Sequence, residues 1–524
     1  MREANPPLRY GAMSSAPPDP LAVQAQLQPE RPAVVEGDVA VGYAEFNRRV
    51  NRLASGLAAL GLRAGERAVW CGPNSTEVMT FIHGARKAGL ISVPLAYRFT
   101  PDEMQYVIDN SDAALVVVDA EQAPKVAEVH DRLSKVREIV VFRGEPFVGA
   151  RAWDDVLALG SDDDPGPVGD VGSTMIYTSG TTGKPKGALR TQTDPALVLA
   201  LLQEIRLVPG QEVHVTTGPL YHSGPLAWAV LAHALGGTVV IMRKFDAAEW
   251  VRLVTHHRVT STFSAPTQLK RIVSLPDDVL AKGDFSSMRS LVANAAPVPY
   301  ALKQEVIAKL GDGFLFEVYG STELGVDTVL PPEDQLRKPG SCGKPYGGVE
   351  LKIVGDDGEA LPAGEPGELF IRTTLAMDGY HRTDEQLTEL QHGEWKSVGD
   401  VAYLDDEGYL YICDRKKDMI ISGGVNIYPA EIEAVLHAHP DVMDVAVFGV
   451  PSDEWGESVH AVVQPKVGHT IDLGVLEAYA NERLAGFKRP RTWEVRDELP
   501  RTESGKLLKR VLRDEHWQGR TSRV

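Results

Sequence analysis

Basic residues are outnumbered in this chain, with 54 Lys and Arg against 72 Asp and Glu and a formal net charge of −18 at pH 7. Such a field repels phosphate at long range, which argues against nonspecific binding to nucleic acid or to an anionic membrane. Any phosphate the chain holds must therefore be met by local basic groups or a metal. Cysteine is nearly missing: Cys71, Cys342 and Cys413 are the three in 524 residues. Their odd number and wide spacing exclude a disulfide framework and a cysteine metal cage, and suit a reducing cytoplasm. Long hydrophobic runs are lacking too. The most apolar stretch, Ala227 to Met242, is interrupted by His233 and Gly236-Gly237 and is too short for a membrane span, so it reads as a buried helix, a turn and a strand. Residues 1–30 contain proline and alanine but no continuous apolar core. That does not resemble a secretory signal and predicts a mobile tail. No internal repeat with a short fixed period is present.

What remains is ordinary globular composition, 43% hydrophobic and 24% charged, in a chain long enough for two or three cores. Val34-Val35 and Val39 and Val41 flank Gly37-Asp38, a hairpin pattern. Phe46, Val50, Leu53, Leu57 and Leu60 then recur at helical spacing, and Gly61 stands where a helix ends. Asn74 followed by Glu77 predicts a second helix start, and Thr100-Pro101 with Glu103 a third. Short strands at Val69–Cys71, Leu90–Val93 and Leu115–Val118 alternate with these helices and are continuously apolar. The pattern predicts an α/β fold with a doubly wound, largely parallel sheet. A β-rich part follows residue 350. Beyond Asp414, strands at Val445–Val450 and Val459–Gln464 and helices near Ala430–His437 and Leu473–Leu484 predict a small α+β domain.

The most informative stretch is Tyr177-Thr-Ser-Gly-Thr-Thr-Gly-Lys-Pro-Lys-Gly187. Thr178, Ser179, Thr181 and Thr182 supply hydroxyls, Gly180 and Gly183 let the backbone approach a ligand, and Lys184 and Lys186 supply ammonium groups. That is a phosphate loop in chemical character. It is not the common nucleotide loop, which would need glycine at Thr178 and a hydroxyl at Pro185.

Four further motifs follow in order: Glu317-Val-Tyr-Gly-Ser-Thr-Glu323, Ser397-Val-Gly-Asp400, Asp414-Arg-Lys-Lys-Asp-Met-Ile-Ile-Ser-Gly-Gly-Val-Asn-Ile-Tyr-Pro429 and Pro500-Arg-Thr-Glu-Ser-Gly-Lys506. Each alone has a plain explanation: a helix cap for Thr322 and Glu323, a turn residue for Asp400, a solvated charge run, a surface lysine. Together, from about Pro32 to about Arg510, they resemble the adenylate-forming enzymes: acyl-CoA synthetases, amino-acid adenylation domains and firefly luciferase.

The resemblance implies a large AMP-binding body over residues 31–414 and a mobile lid over 415–524, with its hinge near Lys417. It implies ATP, Mg²⁺ and coenzyme A as cofactors and co-substrates. Tyr319 would stack on adenine, beside Gly320 and Ser321, with Asn294, Ala295 and Ala296 forming a loop on the same base. Thr322 would contact phosphoryl or acyl oxygens, and Glu323 would hold Mg²⁺ together with Thr178. Asp400 would accept from the ribose hydroxyls, Arg415 would reach ribose and phosphate, and Lys506 would be the catalytic lysine. Gly423 and Gly424 would line the thiol tunnel. Pro219-Leu-Tyr-His-Ser-Gly-Pro225 corresponds to the acyl-site segment, where His222 would line the carboxylate pocket.

The implied reaction is acid activation as an acyl adenylate with pyrophosphate release, then acyl transfer to a thiol. No acidic residue lies between Pro219 and Trp228 to pair a substrate ammonium, and the stretch from Lys506 to Val524 is too short to be expected to hold a carrier domain. A hydrophobic acid without an α-amine and the thiol of CoA are therefore expected. Rival readings are an amino-acid adenylation enzyme or an acyl-AMP ligase serving a carrier protein, a luciferase-like oxygenase, and an inactive nucleotide-binding scaffold. Leu220, Tyr221, Leu226 and Trp228 predict an apolar acyl pocket for a fatty, aromatic or bulky alicyclic acid. The sequence leaves the oligomeric state open, a homodimer included.

Overall fold

The computed structural model describes residues 19–166, 174–178, 185–191, 194–382, 391–416, 418–501 and 507–518. Of the residues singled out above, Ser179, Gly180, Thr181, Thr182, Gly183, Lys184, Lys417 and Lys506 lie outside them.

The expected mobile tail does not extend to residue 30. Pro20–Leu27 is a helix that starts on Asp19, whose side chain accepts from the Ala22 N–H, and Leu21 is fully buried. Asp19 also pairs with Arg86, which fastens this helix to the body.

Two sheets build the body. In the first, six neighbouring strands run parallel: Leu315–Ser321, Ser290–Ala293, Ser261–Ser264, Val213–Thr216, Thr238–Ile241 and Pro32–Glu36. Antiparallel strands Gly325–Leu330 and Val39–Gly42 flank them. In the second, Arg67–Cys71, Ile91–Leu95, Ala113–Asp119 and Glu138–Phe142 are parallel, with Thr174–Thr178 added beside Ile91–Leu95. All residues of Ile91–Leu95 and Ala113–Asp119 are buried, as expected of strands covered on both faces.

The helix Tyr43–Ala59 buries Phe46, Val50, Leu53 and Leu57, and Gly61 beyond its end has φ +80°. The next helix, Thr76–Lys87, departs from expectation at its start. Its cap is Ser75, which accepts from the Val78 N–H at 3.2 Å. Asn74 instead turns its amide across the body, donating to Gly218 O and Met242 O and accepting from the Leu220 N–H at 2.8 Å. A buried amide that satisfies three backbone groups fixes the segment Gly218–Leu220.

Two buried histidines join this helix to Ser223–Ala234. His233 Nε2 lies 2.9 Å from Ala33 O and must donate to it, so His233 Nδ1 accepts from His83 Nε2, also at 2.9 Å. Both rings are then neutral.

The β-rich part is an antiparallel sheet that includes Glu350–Val354, Gly367–Arg372, Asp400–Leu404 and Leu410–Arg415. In the C-terminal part, Val442–Ser452 and Gly456–Pro465 pair antiparallel, joined by Ile420–Ser422, Val425–Ile427 and Thr492–Val495. These two strands are longer than their apolar runs. Pairing continues through Pro451↔Glu457 to Ser452↔Gly456, so most of the expected separator is strand. The helices Pro429–His437, Leu473–Arg483 and Lys509–His516 pack on this sheet with their own cores. Among the described residues no helix is long and apolar enough to cross a membrane. Cys71 and Cys342 are buried and Cys413 is half-buried, all three unbridged.

Candidate active site

The two ends of the Tyr177–Gly187 stretch lie on paired strands. Thr174–Thr178 pairs antiparallel with Lys186–Arg190, and Thr178 and Lys186 are register partners. The third strand in that edge is Gly379–Tyr380, with Tyr380 opposite Ala188. This pairing carries Tyr380, which no sequence motif contains, to the loop: Lys186 Nζ lies 5.6 Å from its ring centroid.

The segment Glu317–Glu323 begins as strand and not as a helix start, which removes the helix-cap explanation for Thr322 and Glu323. Leu315–Ser321 runs out of the parallel sheet and turns back as Gly325–Leu330. At the turn, Glu323 Oε1 accepts from the Tyr380 hydroxyl at 2.7 Å and from Thr178 Oγ1 at 3.3 Å. A carboxylate and a neighbouring hydroxyl are hard oxygen donors of the kind Mg²⁺ takes, so the residues fit that ion. Thr322 Oγ1 lies 3.1 Å from Ser223 Oγ, the first residue of the helix Ser223–Ala234, and Arg190 donates to Thr322 O at 3.0 Å. The phosphate hairpin, the Thr322-Glu323 turn and the acyl-site segment thus meet at one place.

A second cluster lies along the same strand. The Tyr319 hydroxyl donates to Asp400 Oδ2, and Arg415 Nε pairs with Asp400 Oδ1 at 3.1 Å. Asp400 opens the strand Asp400–Leu404 and is the register partner of Arg415. Burial pushes the Tyr319 phenol well above its ordinary range, with the Asp400 charge adding to it, so Tyr319 is a donor at all working pH values. Next to it, Asn294 Nδ2 donates to Val318 O at 2.6 Å, and its Oδ1 accepts from the Ala295 N–H. Ala295 then sits at φ +76°, a left-handed conformation unusual for a residue with a Cβ.

Asp327, on the returning strand, was not picked out from sequence. It is fully buried, and among the described residues neither carboxyl oxygen has a hydrogen-bond partner. Burial pushes its pKa well above the carboxylate range; Arg190 opposes this and Asp400 adds to it.

The acyl-site segment, held by Asn74, is aromatic and short of hydrogen bonds. Tyr221 packs edge-on against Tyr97, and Trp228 lies 5.0 Å from the Phe263 ring. Gly224 faces the same ring, where an added Cβ would overlap its edge. His222 caps this helix position without a side-chain bond; burial brings its pKa down to about 4. Its Nε2, the Tyr221 hydroxyl and the Trp228 Nε1 are buried without a partner among the described residues.

In the C-terminal part, Gly423 and Gly424 form the two-residue tip joining Ile420–Ser422 to Val425–Ile427, with φ +57° and +79°. Positive φ at both positions is what a tight hairpin of this hand requires. A Cβ on Gly423 would meet the Trp455 ring at 2.7 Å. Ile421, Val425 and Trp455 around this tip are exposed. The helix Lys509–His516 is tied back by Lys509 to Glu433 at 2.8 Å and to Asp414 at 3.9 Å, and by Arg513 to Asp418 at 3.0 Å.

Comparison with known proteins agrees with this layout. Residues 21–381 match the family model described as AMP-binding enzyme, and residues 431–506 that of the AMP-binding enzyme C-terminal domain. A feruloyl-CoA synthase from an Amycolatopsis species is 37% identical, over 94% of this chain and 97% of that protein. The fatty acid–[acyl-carrier-protein] ligase ScoC of Streptomyces coeruleorubidus is 35% identical, over 94% and 95%. Among solved structures, ATP-bound MatB from Rhodopseudomonas palustris superposes with a TM-score of 0.83 at 29% identity, covering 95% of this chain and 99% of that one. The α/β body with its smaller C-terminal domain matches these enzymes, and the chain belongs to the AMP-binding enzyme family, with the chemistry of an AMP-forming acid–thiol ligase.

Proposed function

We propose that this ligase activates a hydrophobic carboxylic acid, aromatic or bulky rather than plainly alkyl, and passes the acyl group to the thiol of CoA. The observation that carries the reading is the meeting of Thr178, Glu323 and Tyr380 with the Thr322–Ser223 contact, which sets phosphate-binding groups beside the acyl-site helix. A carboxylate bound there lies next to the α-phosphate of a nucleotide held by the hairpin. Positioning of the two reactants supplies much of such a reaction's rate. The aromatic walls favour a ring, and the unused polar atoms of Tyr221, His222 and Trp228 favour an oxygen substituent on it.

In this reading Tyr319 lies against adenine beside Asn294, Ala295, Ala296, Gly320 and Ser321, while Asp400 and Arg415 take ribose and phosphate. Thr178 and Glu323 would hold Mg²⁺, whose contribution is neutralisation of phosphate charge. The loop Ser179, Gly180, Thr181, Thr182, Gly183 and Lys184, with Lys186, would donate to phosphate oxygens. Lys506 would stabilise charge on the α-phosphate during the first half-reaction. Residues 415–524 would act as the lid, turning near Lys417 to bring Gly423 and Gly424 to the thiol. The exposed apolar rim of Ile421, Val425 and Trp455 suits a pantetheine arm. Work in the cytoplasm fits three cysteines of which none is in a disulfide.

The second reading, transfer to a carrier protein, is favoured by the ScoC likeness. Pyrophosphate release and CoA consumption, followed together with MgATP across aryl, alicyclic and fatty acids beside Lys506→Ala, separate the two. Both signals with an aryl acid, and no pyrophosphate from the variant, are expected. Pyrophosphate without CoA consumption would mean a carrier acceptor, and strict preference for saturated chains would overturn the substrate class. Sedimentation of the same preparation reads whether the enzyme is a homodimer.

A further inference from the structure

The C-terminal sheet brings together three side chains that the ligase chemistry does not use. His460 lies on the strand Gly456–Pro465, Glu494 on the parallel strand Thr492–Val495, and His516 is the last residue of the helix Lys509–His516. A ligand atom from each falls within 4.8 Å of the other two.

The details suit a metal. His460 is 5% exposed, and its Nδ1 lies 2.7 Å from Thr492 Oγ1, its partner across the parallel register. That bond orients the ring as an outer-shell partner orients a metal-ligating histidine. The other nitrogen, Nε2, is buried, has no hydrogen-bond partner among the described residues, and faces Glu494 Oε2 at 3.8 Å. Two ligand atoms at tetrahedral angles on one zinc are roughly 3.4 Å apart. The His460–Glu494 pair at 3.8 Å is already near that separation, and His516, the exposed member whose ligand atom lies within 4.8 Å of the other two, would turn in to close the site. His516 packs its ring 4.7 Å from that of His460, and Phe448 lies against both. Arg496 is the nearby cation, and its charge is taken up by Glu494 Oε1 and by both oxygens of Glu515. Glu494 Oε2 is left for the site. His516 is exposed, which provides an entry path from solvent.

From this we infer that His460, Glu494 and His516 form a binding site for a zinc-class divalent cation, with two imidazoles and one carboxylate as ligands and a fourth position open to water. The donor set selects borderline metals such as Zn²⁺ and Co²⁺ over Mg²⁺ and Ca²⁺, which prefer all-oxygen ligands. An ion there would fasten the end of the helix that follows the Lys506 segment to the domain's central strands. It is a clamp on the C-terminal domain and takes no part in bond making.

The test uses the full chain, stripped with chelator and held in excess Mg²⁺ to occupy oxygen-rich sites. Co²⁺ is added while visible d–d absorbance is followed, Zn²⁺ is then used to displace it, and thermal unfolding is recorded with and without Zn²⁺. His516→Gln and Glu494→Gln sit at the exposed side and leave the buried His460 in place. One ion per chain, a Zn²⁺-dependent rise in unfolding temperature, and at least tenfold weaker binding in either variant are expected. No d–d band in the wild type, or binding unchanged in both variants, would overturn the assignment.

Discussion

The hydroxyl of Tyr380 donates to Glu323 Oε1 at 2.7 Å, across 57 residues of chain. This bond fixes the carboxylate that faces Thr178. Hydrogen bonds to charged groups contribute about 1.5–3 kcal/mol, so Tyr380→Phe should weaken the Mg²⁺ dependence of adenylation by roughly tenfold or more. Pyrophosphate exchange titrated with Mg²⁺ reads this directly. An unchanged titration would mean that Glu323 is held in place without Tyr380.

Ala295 at φ +76° carries strain that glycine would not. The left-handed conformation costs an L-residue about 1–2 kcal/mol, part of which glycine gives back as greater freedom of the unfolded chain. Ala295→Gly should therefore stabilise the protein by up to about 1 kcal/mol in urea unfolding, while raising the KM for ATP through a looser loop. A loss of stability would show that the Asn294 contact sets this conformation at no cost.

Asp327 is a liability whose size depends on pH. Its folded pKa is raised, so relative to the unfolded chain it is stabilising only below about pH 4, and that contribution is lost as pH rises toward the folded value. Asp327→Asn cannot ionise. The variant should unfold at a higher temperature than the wild type at pH 7, and the two should converge near pH 4. Parallel melting curves at all pH values would contradict this.

Three buried histidines and the half-buried His222 work in the opposite direction. Burial lowers His214 to about 3, His222 and His233 to about 4, and His83 well below its ordinary value. Below about pH 6.5 the unfolded chain takes up protons that the folded chain refuses, so stability falls as pH drops, by up to about 1.4 kcal/mol per pH unit for each group. Urea midpoints at pH 7.5, 6.5, 5.5 and 4.5 in the Asp327→Asn background, which removes that opposing carboxyl, should therefore begin to fall near 6.5. A flat profile down to 5.5 would mean that these rings charge without unfolding the body.

Of the residues the structure brings together, Thr178, Lys186 and the Tyr319-to-Glu323 run were legible in the sequence, because their types are chemically unusual together. Tyr380 and Arg190 were not legible, because each is an ordinary residue made special by a neighbouring strand. The Asn74 signal was present but belonged to a tertiary bridge, with Ser75 doing the capping. The alternating strands and helices gave away the parallel sheets, whose apolar runs are buried on both faces. The extent of the Val442–Ser452 hairpin was hidden, since polar residues near its tip pair through backbone groups that every residue carries.

The opposition of Thr178 and Lys186 also constrains how this chain can change in length. Successive side chains in a strand point to opposite faces, so a residue gained or lost within Lys186–Arg190 would reverse which of Lys186 and Arg190's neighbours look toward Glu323. A residue gained between the two partners leaves that alternation intact but would displace the groups proposed to donate to phosphate. Length variation among working descendants of this enzyme should therefore be absent both from the paired strands and from the segment 179–185 between them.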